Sequence, residues 1–102
     1  MQNAEFFVSY VIRNWSELES SLAHLDVSSC IKKTLDQNKA IIEVKTSEFV
    51  ATLEVWEHAE CLDTSLLRLN SNELEILATG KCINRQEAVV RIMSLRDALL
   101  LG

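Results

Sequence analysis

The stretch Phe49–Leu69, FVATLEVWEHAECLDTSLLRL, alternates apolar and polar residues for long enough to fix β-strands and their faces. Successive side chains of a strand point to opposite sides, so Phe49, Ala51, Leu53 and Val55 share one face and Val50, Thr52, Glu54 and Trp56 the other. Trp56 thereby stands among polar neighbours, with Glu54, Glu57, Glu60 and Asp63 close by in the sequence. A large aromatic ringed by carboxylates on a sheet surface is a candidate anchor for a basic partner. The bland alternative stays open beside it: the indole stacks along a neighbouring strand and shields its hydrogen bonds with no partner involved.

The period of two begins at Ala40. Ile42 and Val44 against Glu43 and Lys45 give a first strand, Thr46–Glu48 a turn and Phe49–Glu57 a second strand. Leu62–Leu69 is a third, the polar run Asn70–Glu73 a turn, and Leu74–Thr79 a fourth that sets Leu74, Ile76 and Ala78 on one side. Connections this short force antiparallel neighbours, hence a meander.

Helices flank these strands. Phe7, Val11, Trp15, Leu18, Leu22 and Leu25 recur at helical spacing after a possible cap at Asn3, with Arg13 and Glu17 as an exposed pair one turn apart. At the other end Asn84 and Glu87 have the spacing of a capping box, and Ala88, Ile92, Leu95 and Leu99 form the stripe that follows. The segment Asp26–Asn38 has two readings: Val27, Ile31 and Leu35 fit a helical stripe, whereas Ser28, Ser29 and Thr34 favour a short strand through Cys30 and Ile31. The resulting expectation is an α+β fold, a four-stranded antiparallel meander with the N-terminal and C-terminal helices on one face. Leu53, Val55, Leu74 and Ile76 should then lie beneath the helices, and the opposite face should stay open.

With 102 residues, no proline and two glycines, the whole chain 1–102 reads as a single globular domain. Apolar residues at 48% and charged residues at 25% exclude a disordered composition. Ten Lys plus Arg against fifteen Asp plus Glu give a net charge of −5, which disfavours nucleic acid and favours a neutral or basic partner. The N-terminus lacks the basic region, uninterrupted apolar core and cleavage site of a secretory signal, and no stretch has the length of a membrane span, so the expected location is the cytoplasm. The odd, widely spaced Cys30, Cys61 and Cys82 do not look like a disulfide framework and read most simply as reduced, buried small hydrophobes.

No reaction is spelled out. His58-Ala59-Glu60 copies half of the zinc deaminase signature, but the Pro-Cys-x-x-Cys half is missing. Among His24, Cys30, His58, Cys61 and Cys82 only His58 and Cys61 have chelating spacing, so neither a metal nor a cofactor is expected. Gly80-Lys81 lacks the upstream glycine and the Ser or Thr of a phosphate loop, and no serine lies in a nucleophile elbow. The chain reads as a non-enzyme.

The run Leu53-Glu54-Val55-Trp56-Glu57-His58-Ala59-Glu60-Cys61-Leu62-Asp63 resembles the TriTu family of small bacterial immunity proteins, found beside polymorphic toxins. In that family an N-terminal helix precedes strands, and one strand ends in an apolar-Trp-Glu stretch followed by a turn and a strand bearing an acidic residue. Val55, Trp56, Glu57 and Asp63 fit those places. Ala59 stands where the family's turn has glycine, and Asp26–Asn38 matches poorly. The resemblance implies a protein that binds and neutralises a cognate toxin by occlusion, and face assignment and charge make Glu54, Trp56, Glu57, Glu60 and Asp63 the expected partner-binding set. Small acidic adaptors and secretion chaperones, which bind an effector along a sheet edge or helix groove, are the alternative class, and a homodimer is compatible with either.

Overall fold

The computed structural model describes residues 5–22, 27–34 and 38–101. Asn3, His24, Leu25 and Leu35 of the sequence reading lie outside the described residues. The element order is α1 (Phe7–Glu19), a 3₁₀ turn (Ser20–Leu22), β1 (Ser28–Lys33), β2 (Lys39–Lys45), β3 (Phe49–Trp56), a 3₁₀ turn (His58–Glu60), β4 (Cys61–Arg68), β5 (Glu73–Ala78) and α2 (Arg85–Leu101). The fold is α+β, as expected, but the sheet has five antiparallel strands in the order β1-β2-β3-β4-β5. The additional strand is β1, so the strand reading of Ser28–Lys33 prevails over the helical one. Its pairing with β2 sets Ile31 opposite Ile42 and Cys30 opposite Glu43.

Alternation in β2, β3 and β4 is regular, and the inward residues Ala40, Ile42, Val44, Phe49, Ala51, Leu53, Val55, Leu62 and Leu66 are all buried. Phe7, Val11 and Trp15 of α1 and Ala88, Ile92, Leu95 and Leu99 of α2 close over them in one continuous core. Both helices therefore cover the same face. Among the described residues, no helix is long and apolar enough to cross a membrane.

Leu74 and Ile76 do not lie under the helices; they are 62% and 63% exposed. The cause is register. Leu74 faces Leu67 and Ile76 faces Ser65, and facing residues of an antiparallel pair share a side, which here is the one away from the helices. A bulge between Thr64 and Ser65 then inserts Leu77 as an extra residue, so that Ala78 faces Thr64 on the helix side. Strict alternation put Leu74, Ile76 and Ala78 together, and the bulge separates them.

Turn residues explain the connections. Asn72 (φ 56°) and Gly80 (φ 85°) occupy the left-handed region that asparagine and glycine tolerate best. Ala59 (φ 59°) also sits there and bears the steric cost of a Cβ in that conformation.

Helix starts are secured differently. α2 uses its own residues: Asn84 Oδ1 accepts the Glu87 N–H at 3.0 Å, and Glu87 Oε2 accepts the Ile83 N–H at 3.1 Å. α1 begins at Phe6, which offers no side-chain cap, and has no acidic residue in its first turn. Its orphan donors are met from the far end of β3 instead.

Candidate functional site

The face of the sheet away from the helices is organised in rows by the strand register. One row runs Lys39, Trp56, Cys61; the next Lys32, Ile41, Glu54, Asp63; the next Cys30, Glu43, Thr52, Ser65, Ile76; the last Ser28, Lys45, Val50, Leu67, Leu74. Trp56 and Glu54 are both on this face. Trp56 is half-buried beneath Lys39, whose Nζ stands 4.8 Å from the ring centroid and 3.6 Å from Glu54 Oε2. The indole is thus neither core nor bare; a lysine held by Glu54 covers it.

The carboxylates of the expected set have different occupations. Glu57 caps α1 across the fold: its two oxygens accept the N–H groups of Phe7 and Val8 at 2.8 and 2.9 Å. A carboxylate at this place satisfies two of the helix's unpaired donors and meets the positive end of its dipole. Glu60 lies in the left-handed turn and pairs with Arg85 at 3.0 Å. That same Arg85 donates to the Glu5 carbonyl at 2.6 Å and stacks on Phe7 and Tyr10, joining the chain start to α2. Asp63 Oδ1 accepts the Gly80 N–H at 2.8 Å. Glu57 and Glu60 therefore hold the fold together at the helix end of the sheet, while Glu54 and Asp63 face each other on the open surface.

Beside them the sheet dips into a shallow groove of about 190 Å³, lined by Glu54, Asp63, Ser65, Leu74, Ile76 and Thr79 among others. Two carboxylates stand at one part of its rim and two large aliphatic side chains at another. A long cationic side chain matches this pattern, its methylenes lying on Leu74 and Ile76 and its charge near Glu54 and Asp63. Leu74 and Ile76 were missed as surface residues because the bulge that exposes them leaves no mark in the hydrophobic pattern.

The remaining chemistry-bearing groups are scattered. Of the three cysteines expected to be buried only Cys82 is; the register sets Cys30 and Cys61 on the face away from the helices, where Cys30 is exposed and Cys61 half-buried. Burial pushes the Cys82 thiol above its ordinary range, against the opposing pull of Arg91. His58 is exposed in the turn before Cys61. Among the described residues no three His, Cys, Asp or Glu side chains come together as a set of metal ligands. Arg91, the best-buried cation of the named ion pairs, donates to the carbonyls of Leu62 and Gly80 at 2.6 and 2.9 Å and pairs with Glu87 at 2.6 Å, tying α2 to the end of the meander.

No family model matches the chain, and no curated protein or solved structure matches it at a significant level.

Proposed function

We propose that the chain is a protein-binding module that neutralises a cognate bacterial toxin by occlusion, the role implied by its likeness to the TriTu immunity proteins. The observation that carries this reading is the uncovered sheet face. It holds a groove in which Glu54 and Asp63 adjoin the exposed Leu74 and Ile76. Such a surface offers apolar contact together with charge, the combination that anchors a protein interface. The net charge of −5 supports a basic partner, since opposite charge speeds encounter and rejects wrong partners. Occlusion asks nothing of the chain but a stable surface. Trp56 enters as a reserve of contact area that Lys39 uncovers when the partner's own groups replace it.

The test is protection from a toxin domain encoded next to the gene, the genomic neighbour that this reading requires. Growth of a bacterial host expressing that toxin domain should be restored by the wild-type chain and lost with Glu54→Arg/Ile76→Arg, whose thermal midpoint should stay within a few degrees of wild type because both side chains are at the surface. Undiminished protection by the double variant would remove the open face from the interface. Failure of the wild-type chain to protect would remove the immunity role altogether.

A further inference from the structure

β5 ends the sheet, and among the described residues no strand pairs with its outer side. Residues 73–76 are exposed on both faces, Leu74 and Ile76 towards the open side and Glu73 and Glu75 towards the helix side. An edge with two large apolar side chains is a template for another strand, and Glu73, Glu75 and the bulge at Leu77 guard it against a neutral or acidic strand while leaving it open to a basic one. Neither glutamate forms an ion pair among the described residues. Arg68, which faces Glu73, lies over the Phe49 ring at 5.4 Å instead.

We infer that the outer edge of β5 receives an extended segment of a partner protein as a sixth strand, one that alternates apolar residues with lysine or arginine. This rests on the reading of the chain as a protein-binding module. Main-chain hydrogen bonds to the free edge supply the attachment, and side chains supply the selectivity. Cross-strand neighbours on one face come within about 5 Å, so the apolar residues of the added strand stand beside Leu74 and Ile76, and its cations beside Glu73 and Glu75.

A second copy fits this edge poorly. Two-fold pairing of β5 with itself about Leu74 sets Glu73 opposite Glu75 twice, and pairing about Glu75 sets that residue opposite itself. Pairing about Ile76 brings Leu77 and Ala78, at the bulge, into the new ladder. Joining β5 to the β1 of another copy offers Glu73 and Glu75 only Lys33, since Lys32 points to the open face, and that head-to-tail contact stacks chains of charge −5 on one another. A basic, extended segment of a different protein meets none of these obstacles.

The experiment uses the full chain, ¹⁵N-labelled, titrated with the capped peptide Lys-Val-Lys-Ile-Lys-Val-Lys. Saturable binding should shift the amides of Glu73–Ala78 and slow their hydrogen exchange. A peptide N-methylated at alternate residues, which cannot extend the ladder on one side, and a peptide with glutamate for lysine should each bind at least about tenfold more weakly. Glu73→Lys/Glu75→Lys should invert the preference between the basic and acidic peptides. Equal binding of the N-methylated peptide, shifts centred on Glu54 and Asp63 or on α2, absence of saturation at millimolar peptide, or concentration-dependent shifts at β5 and β1 without peptide would each overturn the inference, the last by making a second copy the occupant. Growth protection separates this outcome from the function proposed above: a negative titration with protection intact removes only the edge strand, and a positive titration without protection removes only the immunity role.

Discussion

Replacing Glu57 should damage the fold before it damages any interface. Its carboxylate takes the N–H groups of Phe7 and Val8 at 2.8 and 2.9 Å, and the start of α1 has no local cap in reserve. A hydrogen bond to a charged group contributes about 1.5–3 kcal/mol when buried, and loss of an N-terminal cap costs about 0.5–2 kcal/mol. Glu57 is only partly buried, so water can replace some of what Glu57→Ala removes, and the lower ends of these ranges apply. Two bonds then sum to about 2–3 kcal/mol for Glu57→Ala. Glu57→Gln keeps one acceptor oxygen but no charge and should cost about 1 kcal/mol. At roughly 4–8 °C per kcal/mol for a domain of this size, Glu57→Ala should lower the thermal midpoint by about 10–20 °C. Urea unfolding followed by circular dichroism measures the same quantity, with the slope against denaturant unchanged. An Ala variant within about 0.5 kcal/mol of wild type would show that the helix start does not depend on this carboxylate. In that case the place of Glu57 in the partner-binding set would deserve direct test.

Leu53→Ala should cost about 2–5 kcal/mol, since Leu53 is fully buried, whereas Ile76→Ala should stay within about 0.5 kcal/mol; equal costs in denaturant titrations would contradict the register of β5. The Ile83 N–H, with further help from Arg91, holds the Glu87 carboxyl below its ordinary 4.5 despite desolvation. A carboxyl depressed by folding adds stability above its unfolded pKa and loses it as pH falls through the folded one, so Glu87→Gln should flatten the decline in stability as pH falls below 4.5. Parallel stability–pH curves for the two proteins would refute this.

What could be read from the residues is what repeats locally. The alternation in Phe49–Leu69 and the stripes Phe7-Val11-Trp15 and Ala88-Ile92-Leu95-Leu99 each place a side chain by its neighbours two to four positions away, and each is buried as its period requires. β1 stayed undecided between strand and helix because Ser28–Lys33 is exposed along nearly its whole length and leaves no apolar face to register. The bulge at Leu77 escaped because Ile76, Leu77 and Ala78 are all apolar, so the extra residue does not interrupt any pattern. For the site, Trp56 and Glu54 were placed on the open face by alternation alone, and Asp63 was tied to them only by its nearness in the sequence. The engagements of Glu57 and Glu60 with Phe7, Val8 and Arg85 were not legible, because their partners lie 25 to 50 residues away.

The connectivity of the sheet bears on how the chain assembles. Every strand pairs with the next in sequence, so the five strands can zip together through short hairpins, each closing a small loop at little entropic expense. The helix α1 cannot join early: the carboxylate that starts it belongs to a residue about fifty positions later, and the arginine that pins the chain before it belongs to a residue eighty positions later. A thirteen-residue helix without its own cap is marginal in water. Detachment of α1 from a formed sheet is therefore the natural first step of unfolding and the last of folding. In native-state hydrogen exchange its amides should open at a lower free energy than those of β3 and β4, with Phe7, Val11 and Trp15 released from the core as one unit.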